Sequence, residues 1–329
     1  MTLAAAVVGL GRAGSQYDQG KPDATPRSHV GAILQTPGID LVAVCDVDQR
    51  QRDRCLADWG LNIPAYATLD QLLQARTYDL IVVATPTGVQ HGVLGRILSS
   101  PPRLIFCEKP FCETYGQSRE ISKAATDLKV KLVVNYQRRW DEKIRTLTAI
   151  FRDMGRPERF EVQYSKGLLN YGSHMLDLLE FFFGPISKVL GVFPTPDQIL
   201  LADPSLSFMI EFESGLQGYF SGMDCLHYEL FDLSVFYREC RFTLVAGGYE
   251  IRKFEGKAGV FFPGYEHLVE TAGAFPAGPI EGLLNGYQQI TGHLSGKSEV
   301  RTNVPESAIR VHHVIEEIRN LALSNKVFQ

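Results

Sequence analysis

Three glycines directly follow the first apolar run of the chain. Residues 3–8 are Leu-Ala-Ala-Ala-Val-Val, and residues 9–14 read Gly-Leu-Gly-Arg-Ala-Gly. Where a strand enters a helix through this spacing, the first glycine permits a tight turn and the second lets the backbone approach a pyrophosphate. The third lets the helix pack on the strand, and the free N–H groups at the helix start favour an anion. The pattern predicts a dinucleotide site formed by Gly9, Gly11, Arg12, Ala13 and Gly14.

A carboxylate suited to an adenosine ribose ends the second apolar run. Asp46 lies further from the glycines than the roughly 20 residues of the usual pattern. The polar segment 17–26 accounts for the excess as a loop inserted into the first crossover, and it is either a lid or a tolerated surface insertion. The charge of Asp46 favours NAD because it would repel the extra phosphate of NADP. Arg50 and Arg52 keep NADP open as the alternative.

Polar residues stand at the carboxyl ends of the predicted strands, where ligands bind in open α/β sheets. The expected cofactor contacts there are Thr85, Pro86, His91, Glu108 and Lys109. Beside a nicotinamide, Lys109 can donate a hydrogen bond to the reacting hydroxyl or carbonyl and stabilise the negative charge that develops there. Pro110 would fix this loop, and a cis peptide bond is expected before it. The alternative is a solvated Glu–Lys pair on a turn.

A second chemical group opens a predicted helix in the later half of the chain. Asn170, His174 and Asp177 fall at i, i+4 and i+7, which predicts one shared polar face. The opposite, buried stripe would consist of Met175, Leu178, Leu179 and Phe182. His174 is the expected proton-exchanging group because imidazole titrates near neutral pH. The alternative is a structural histidine at a helix start.

Cationic and aromatic residues predict where a substrate binds. Residues 135–140, which include Arg138, follow the last strand of the first domain and should border the cleft. Tyr164 and Lys166 precede the His174 helix on a strand and could reach the same space. Two or three cations there would suit an anionic substrate such as a sugar phosphate, nucleotide sugar or uronate. The alternative is a set of interdomain salt bridges on a solvated edge.

The elements that must position these residues form two predicted domains. The chain has 329 residues, of which 45% are hydrophobic and 21% charged, as in an ordinary globular protein. Strand and helix patterns alternate through the first part, which predicts a doubly wound α/β Rossmann domain over 1–138. Residues 139–329 predict an α+β domain on a large, mostly antiparallel sheet, one face of which would favour association between copies. Tyr287 and His293 on a late helix are expected to be packing or surface residues.

Composition argues against several other classes of protein. The formal net charge of −4 and the lack of a basic run argue against nucleic acid as a partner. The apolar stretches are too short to span a bilayer, and no signal pattern is present, so we expect no membrane partner and a cytoplasmic location. The six cysteines form no C-x-x-C pair and no zinc spacing, which predicts buried free thiols in a reducing compartment and no metal site.

Taken in chain order, these motifs resemble the Gfo/Idh/MocA family of oxidoreductases. The shared features are the G-x-G-x-x-G turn, the Thr-Pro with a His five residues on, the Glu-Lys-Pro and the late G-x-H-x-x-D. The resemblance covers the whole chain and implies a nicotinamide-dependent dehydrogenase or reductase of a sugar, cyclitol or sugar derivative. It implies that Lys109 is catalytic, that Gln137 and Arg138 lie near nicotinamide and substrate, and that the second domain makes dimer or tetramer contacts.

One residue departs from the family pattern. The family carries an Asp four residues before the His, and Asn170 stands there in this chain. An amide can hydrogen-bond a sugar hydroxyl, but it cannot raise the basicity of His174 by charge. Two alternatives therefore stay open beside an NAD-dependent enzyme. One is an NADP-dependent ketosugar reductase, in which Arg50 neutralises the phosphate, and the other is a cofactor-binding sensor or assembly partner without turnover.

Overall fold

A computed structural model of the chain describes residues 2–18, 25–193, 197, 199–200, 202–259, 264–273, 275 and 282–324. The segment 17–26, predicted as an inserted loop, lies mostly outside the described residues. The strands are β1 Leu3–Val8, β2 Ile39–Cys45, β3 Ala65–Tyr66, β4 Leu80–Val83, β5 Leu104–Cys107, β6 Lys131–Val134, β7 Arg159–Tyr164, β8 Ile186–Phe193, β9 Ser207–Phe212, β10 Gln217–Gly222, β11 Phe231–Phe236, β12 Cys240–Val245, β13 Glu250–Ala258 and β14 Glu266–Glu270.

The helices connect these strands and close the described part of the chain. They are α1 His29–Leu34, α2 Gln49–Trp59, α3 Leu69–Ala75, α4 Thr87–Leu98, α5 Tyr115–Asp127, α6 Glu142–Met154, α7 Ser173–Phe183, α8 Gly282–Leu294 and α9 Pro305–Ser324. Polar side chains fix several of their starts. Asp48 caps α2, and Thr68 and Thr114 form capping boxes at α3 and α5.

The first sheet is parallel, in the order β3-β2-β1-β4-β5-β6. Strand β1 pairs with β2 on one side and with β4 on the other. Its residues alternate between two apolar clusters, with Ala5 and Val7 in one and Ala6 and Val8 in the other. A strand covered on both faces needs the continuous apolar run seen in the sequence. The predicted Rossmann sheet is confirmed.

The helix after the glycine motif is shorter than the sequence pattern suggests. Residues 12–16 form a single turn in which the N–H of Tyr17 donates to the carbonyl of Arg12, five residues back. At the end of this turn, the Asp18 carboxylate accepts hydrogen bonds from the backbone N–H groups of Arg27 and Ser28. These bonds join the two ends of the inserted segment, so the crossover resumes at α1, which Ser28 caps.

The second sheet is mostly antiparallel, in the order β14-β13-β12-β11-β7-β10-β9-β8. Its exception is the parallel pair β7 and β10. Along β9, Phe208, Ile210 and Phe212 are buried, while Met209 and Glu211 are partly exposed. This is the alternation expected of a sheet with one packed face, and it confirms the predicted α+β architecture.

Contacts between residues group the chain into two compact units. One consists of residues 1–141 and 281–312, and the other of residues 142–280 and 313–329. Residues 281–312 thus pack with the first unit, whereas the predicted boundary at 138 gives everything after it to the second domain. The physical reason is the apolar face of α8, where Tyr287 and Ile290 enter the same cluster as Phe106.

Two further sequence predictions concern cysteines and membranes. All six cysteines are free, and five of them are buried, which confirms the predicted buried thiols. Burial raises the pKa of Cys45 to about 11, with a smaller contribution from the charge of Asp46. Within the described ranges, no helix is long and apolar enough to cross a membrane.

Candidate active site

The surroundings of the three glycines in the first loop differ. Gly9 has φ +90°, and a Cβ there would lie 2.6 Å from the carbonyl oxygen of Ala84. A Cβ on Gly14 would overlap the Gly9 carbonyl oxygen. At Gly11, by contrast, no heavy atom of the described residues lies within 4 Å of the Cβ position. The loop therefore offers an open cradle at Gly11, which is the fit that an approaching pyrophosphate needs.

This difference predicts opposite results for two substitutions in the loop. Gly11→Val should keep the free energy of unfolding within about 0.5 kcal/mol, since apart from its chain neighbours no heavy atom of the described residues lies within 4 Å of the Cβ position. It should weaken NADH binding at least tenfold, about 1.4 kcal/mol, by filling the cradle. Gly14→Ala should instead cost about 1–3 kcal/mol of stability through overlap with backbone. Urea unfolding measures the change in stability, and an NADH fluorescence titration measures the change in affinity. If the Gly11→Val protein binds NADH normally, the space at Gly11 is not part of the cofactor site.

Asp46 lies directly after β2 and is tied to the glycine loop. Its Oδ2 accepts a hydrogen bond of 2.7 Å from the backbone N–H of Leu10, and its Oδ1 accepts one of 2.9 Å from that of Asp48. Arg52 donates to the backbone carbonyl of Asp46 at 2.7 Å, and the side chain of Arg50 is 94% exposed. Each carboxylate oxygen keeps a lone pair for a ribose hydroxyl.

Glu108 follows β5 and is the centre of a buried hydrogen-bond network. Its Oε1 accepts hydrogen bonds from Asn135 Nδ2 at 2.7 Å and pairs with His29 Nε2 at 2.9 Å, and its Oε2 accepts the backbone N–H of Lys109 at 3.2 Å. Burial raises the pKa of this carboxyl, but the hydrogen bonds from His29 and Asn135 and the charge of Lys109 act in the opposite direction. The net pKa lies below the ordinary value, so Glu108 is ionised.

The loop carrying Lys109 is also held from its backbone side. The peptide bond between Lys109 and Pro110 is cis, as expected from the sequence. The buried amide of Gln90 donates to the carbonyl of Glu108 at 3.2 Å and accepts the N–H of Cys112 at 3.2 Å. Lys109 therefore lies on a turn that is fixed both before and after it.

The predicted cofactor contacts after β4 are Thr85, Pro86 and His91, and they have different surroundings. Thr85 lies after β4, and its Oγ1 is buried with no hydrogen-bond partner among the described residues, a polar atom that a ligand or solvent molecule would satisfy. Pro86 lies at the start of α4. His91, on the same helix, contacts Glu120 of α5 through Nε2 at 3.1 Å. Its predicted role toward the cofactor stays a prediction.

The residues after β6 occupy a short helical turn. Gln137 and Arg138 lie in the turn 137–140 of the first unit and are partly exposed, while Arg139 and Trp140 behind them are buried. Their predicted contacts with cofactor and substrate stay predictions.

The His174 segment differs locally from the predicted amphipathic helix. Residues 167–172 form a wider helical turn, and α7 begins only at Ser173. The i, i+4 spacing of a regular α-helix therefore does not relate Asn170 to His174. Asp177 is buried together with the predicted apolar stripe, whereas His174 on the same predicted polar face is partly exposed. His174 is partly exposed, with its ring edge-on to Phe231 at 6.4 Å between centroids.

A carboxylate from elsewhere in the second unit anchors this turn. Asp203 accepts hydrogen bonds from the backbone N–H groups of Leu169 at 2.8 Å and Asn170 at 3.1 Å. Arg319 of α9 donates to the same carboxylate at 3.1 Å. Asp203 therefore helps to fix the position of Asn170 by binding backbone N–H groups of this turn.

Two predicted substrate contacts in this unit have partners within the protein. Tyr164 is fully buried, and its hydroxyl donates to the carbonyl of Leu206 at 2.7 Å, so it is a core residue and the prediction is wrong. Lys166 forms an ion pair with Glu229, which also accepts the hydroxyl of Tyr171 at 2.7 Å. The charge of Lys166 is thus paired within its own unit, and its predicted substrate contact stays a prediction.

Sequence reasoning missed several residues that hold the Lys109 loop. His29 had no visible signal, because it stands alone after the inserted segment. Asn135 could have been found, since it directly follows an apolar strand, as does Glu108. Gln90 is a polar residue on the buried side of its helix, and Tyr287 was assigned to packing or surface although its hydroxyl contacts His29.

Comparisons with known proteins agree with this geometry. Residues 3–136 match the model of the Gfo/Idh/MocA oxidoreductase family, which has an NAD-binding Rossmann fold. D-apiose dehydrogenase of Paraburkholderia graminis is 23% identical over 224 residues, covering 60% of this chain and 57% of that protein. Inositol 2-dehydrogenase of Rhizobium meliloti is 25% identical over 205 residues, covering 57% of each. The chain thus spans little more than half the length of these curated relatives.

Solved structures match over the whole chain. The WlbA dehydrogenase of Bordetella pertussis, in complex with NADH and UDP-GlcNAcA, has a TM-score of 0.77 at 16% identity and covers 99% of this chain and 98% of its own. A 3-ketoreductase of Actinomadura kijaniata, in complex with TDP-benzene and NADP, has a TM-score of 0.77 at 12% identity, covering 98% of both. At these identities the likeness concerns the fold.

The fold and the glycine loop define a Rossmann dinucleotide-binding protein. The match of residues 3–136 to the Gfo/Idh/MocA oxidoreductase family supports the resemblance drawn from the motifs and the NAD-binding class of the cofactor.

Proposed function

We propose that this protein is an NAD-dependent oxidoreductase that transfers a hydride between nicotinamide and a hydroxyl or ketone of a sugar-like substrate. The observation that carries the proposal is the fixed loop of Lys109. It lies at the carboxyl end of β5, in the same sheet edge as the glycine loop after β1. A cationic side chain on a rigid strand-end turn beside an open dinucleotide cradle is suited to a reaction in which charge develops on oxygen.

In this proposal the residues of the chain bind the cofactor, orient the substrate and stabilise the charge that develops on the reacting oxygen. Gly9, Gly11 and Gly14 would shape the loop for the pyrophosphate, and Asp46 would accept hydrogen bonds from the adenosine ribose hydroxyls. Bound NAD supplies the hydride acceptor, and NADH the donor. The Lys109 ammonium donates a hydrogen bond to the substrate oxygen, where it stabilises the charge of an alkoxide. Glu108, which is ionised, balances this cation and fixes its backbone.

His174 is the proposed proton-exchanging group of the second unit. Imidazole can accept the hydroxyl proton in oxidation and return it in reduction. Asn170 would hydrogen-bond a sugar hydroxyl, and its lack of charge favours the direction of ketone reduction. Asp177 is too buried to contact a substrate directly and would act only through the position of α7.

Relatives and neighbours support the substrate class. They include dehydrogenases of apiose and inositol and a dehydrogenase crystallised with a nucleotide sugar. We infer a sugar, cyclitol, sugar phosphate or nucleotide sugar as substrate, with Arg138 as a proposed contact of an anionic group. A cytoplasmic location and a homodimer or homotetramer through the antiparallel sheet belong to the same proposal.

The cofactor preference follows from the loop after β2. Asp46 places its carboxylate against the Leu10 amide, whereas Arg50 is turned to solvent and Arg52 is engaged by backbone carbonyls. NADH should therefore bind at least tenfold more tightly than NADPH, about 1.4 kcal/mol. Fluorescence titration with both cofactors checks this preference. Equal affinity for the two cofactors, or tighter binding of NADPH, would show that Arg50 or Arg52 binds the extra phosphate of NADPH.

The activity itself is tested by a substrate panel. The purified protein is incubated with NADH and keto sugars, and with NAD and the corresponding alcohols, cyclitols and nucleotide sugars, while the nicotinamide absorbance is followed. Turnover on at least one of these substrates is expected. The second candidate function, a cofactor-binding protein without turnover, rests on Asn170 in place of Asp. Tight NADH binding without consumption by any compound would favour it.

A further inference from the structure

A chain of three side chains, of which His29 and Tyr287 are buried and Glu108 is partly exposed, lies behind the Lys109 loop. His29 at the start of α1 joins Tyr287 of α8 to Glu108 after β5. Its Nδ1 lies 2.7 Å from the Tyr287 hydroxyl and its Nε2 lies 2.9 Å from Glu108 Oε1. The rings of His29 and Tyr287 are fully buried and pack edge-on against Phe106. Nothing in the proposed chemistry uses either residue.

The direction of these hydrogen bonds can be worked out from what each atom can donate. Among the described residues, His29 Nδ1 is the single partner of the Tyr287 hydroxyl. A buried phenol proton needs an acceptor, because leaving it unpaired costs about 1–3 kcal/mol. The hydroxyl therefore donates, and Nδ1 accepts without a proton of its own. The ring proton then sits on Nε2 and points at the Glu108 carboxylate.

The charge states of the two end groups agree with this direction. Burial, reinforced by the charge of Glu108, raises the pKa of Tyr287 well above its ordinary value, so the phenol keeps its proton to donate. Glu108 is ionised, as shown above, and can only accept. Besides these two, the titratable groups on the adjoining elements include Cys107 of β5, Lys109 after Glu108, and Asp18, which binds the backbone before α1.

We propose that Tyr287 and His29 are positioning residues that lock Glu108 and, through it, the backbone of Lys109. The inference rests on the proposed role of Lys109. The hydrogen bonds run from the Tyr287 hydroxyl to His29, from His29 to Glu108 Oε1, and from the Lys109 amide to Glu108 Oε2. Asn135, directly after β6, holds the same carboxylate, so rotation of the carboxylate breaks its bonds to His29, Asn135 and the Lys109 amide together.

Tyr287→Phe is the informative variant because it removes only the hydroxyl and keeps the packed ring. Tyr78→Phe is the matched control, since Tyr78 is buried in the same unit and its hydroxyl donates to a backbone carbonyl, that of Leu72. Both variants lose one buried hydrogen bond, so a general loss of stability would appear in both.

Two measurements on the cofactor-free protein test the arrangement. Nitrogen-15 spectra of the histidine rings, assigned with His29→Gln, should show His29 protonated on Nε2 alone in the wild type and in Tyr78→Phe, and a mixture of tautomers in Tyr287→Phe. Hydrogen exchange at the Lys109 amide should be about tenfold faster in Tyr287→Phe only. A proton on Nδ1 in the wild type, or unchanged Lys109 exchange in Tyr287→Phe, would overturn the proposal.

Kinetics provide the link to function. In Tyr287→Phe we expect kcat to fall about tenfold, with the NADH dissociation constant within about twofold of the wild type. The reason is that the variant loses the orientation of Lys109 toward the substrate and keeps the residues that bind the cofactor. An unchanged kcat despite a changed tautomer would overturn the positioning role. If the wild type turns over no substrate, the proposed function fails, while the tautomer and exchange measurements still decide whether the lock exists.

Discussion

Lys109→Ala loses on the order of a hundredfold or more in turnover, while its fold and most of its NADH affinity are kept. The reason is that the ammonium group acts on the charge that develops at the substrate oxygen, which is larger in the transition state than in the bound substrate. The backbone of the loop does not depend on this side chain, since Glu108 and Gln90 hold it through main-chain atoms.

Steady-state kinetics and an NADH titration of the variant measure the two effects separately. Lys123→Ala is a suitable control, because Lys123 is an exposed lysine of the same domain whose pair, Asp127, lies one turn away. If Lys109→Ala keeps more than about a tenth of wild-type turnover, Lys109 is not the group that stabilises the reacting oxygen.

His174→Ala should also remove most activity, by about a hundredfold or more, if this imidazole exchanges the substrate proton. The wild-type rate should then titrate with an imidazole-like group. Asn170→Asp adds a negative charge four residues away, which favours the protonated imidazole and moves the midpoint of the pH–rate profile to higher pH.

The comparison requires pH–rate profiles of wild type and Asn170→Asp on one substrate. Asp203 already binds the backbone at this turn, so circular dichroism and thermal unfolding must show that the second carboxylate leaves the fold intact. Overlaid profiles would mean that Asn170 is not coupled to the proton-transfer group, and the assignment of His174 would have to be given up.

The sequence predicted the N-terminal domain well because its signals are local. The apolar run of β1, the glycine spacing and the Asp46 carboxylate each depend on a few neighbouring residues. The open space at Gly11 and the overlaps at Gly9 and Gly14 match the roles expected of the three glycines.

What the sequence could not predict depends on residues far apart in the chain. His29 and Tyr287 are separated by 258 positions, and Asp203 binds a turn 33 residues before it. Tyr164 failed as a predicted substrate contact because alternation along β7 was not used to decide which face it occupies. The predicted polar role of Asp177 did not anticipate its burial, because α7 is buried on nearly all sides. The spacing of three polar residues along a helix does not show whether the opposite sides are also covered.

The central claim is hydride transfer from nicotinamide to a sugar-like ketone, and isotope transfer tests it most directly. NADH carrying deuterium at the transferred position of the nicotinamide is incubated with the protein and a keto sugar that supports turnover in the panel, and the product is examined by mass spectrometry. We predict that the product carries one deuterium on the carbon of the new alcohol, and that Lys109→Ala yields almost none. A reduced product without deuterium, or NADH that stays bound and unconsumed with every ketone, would contradict the account.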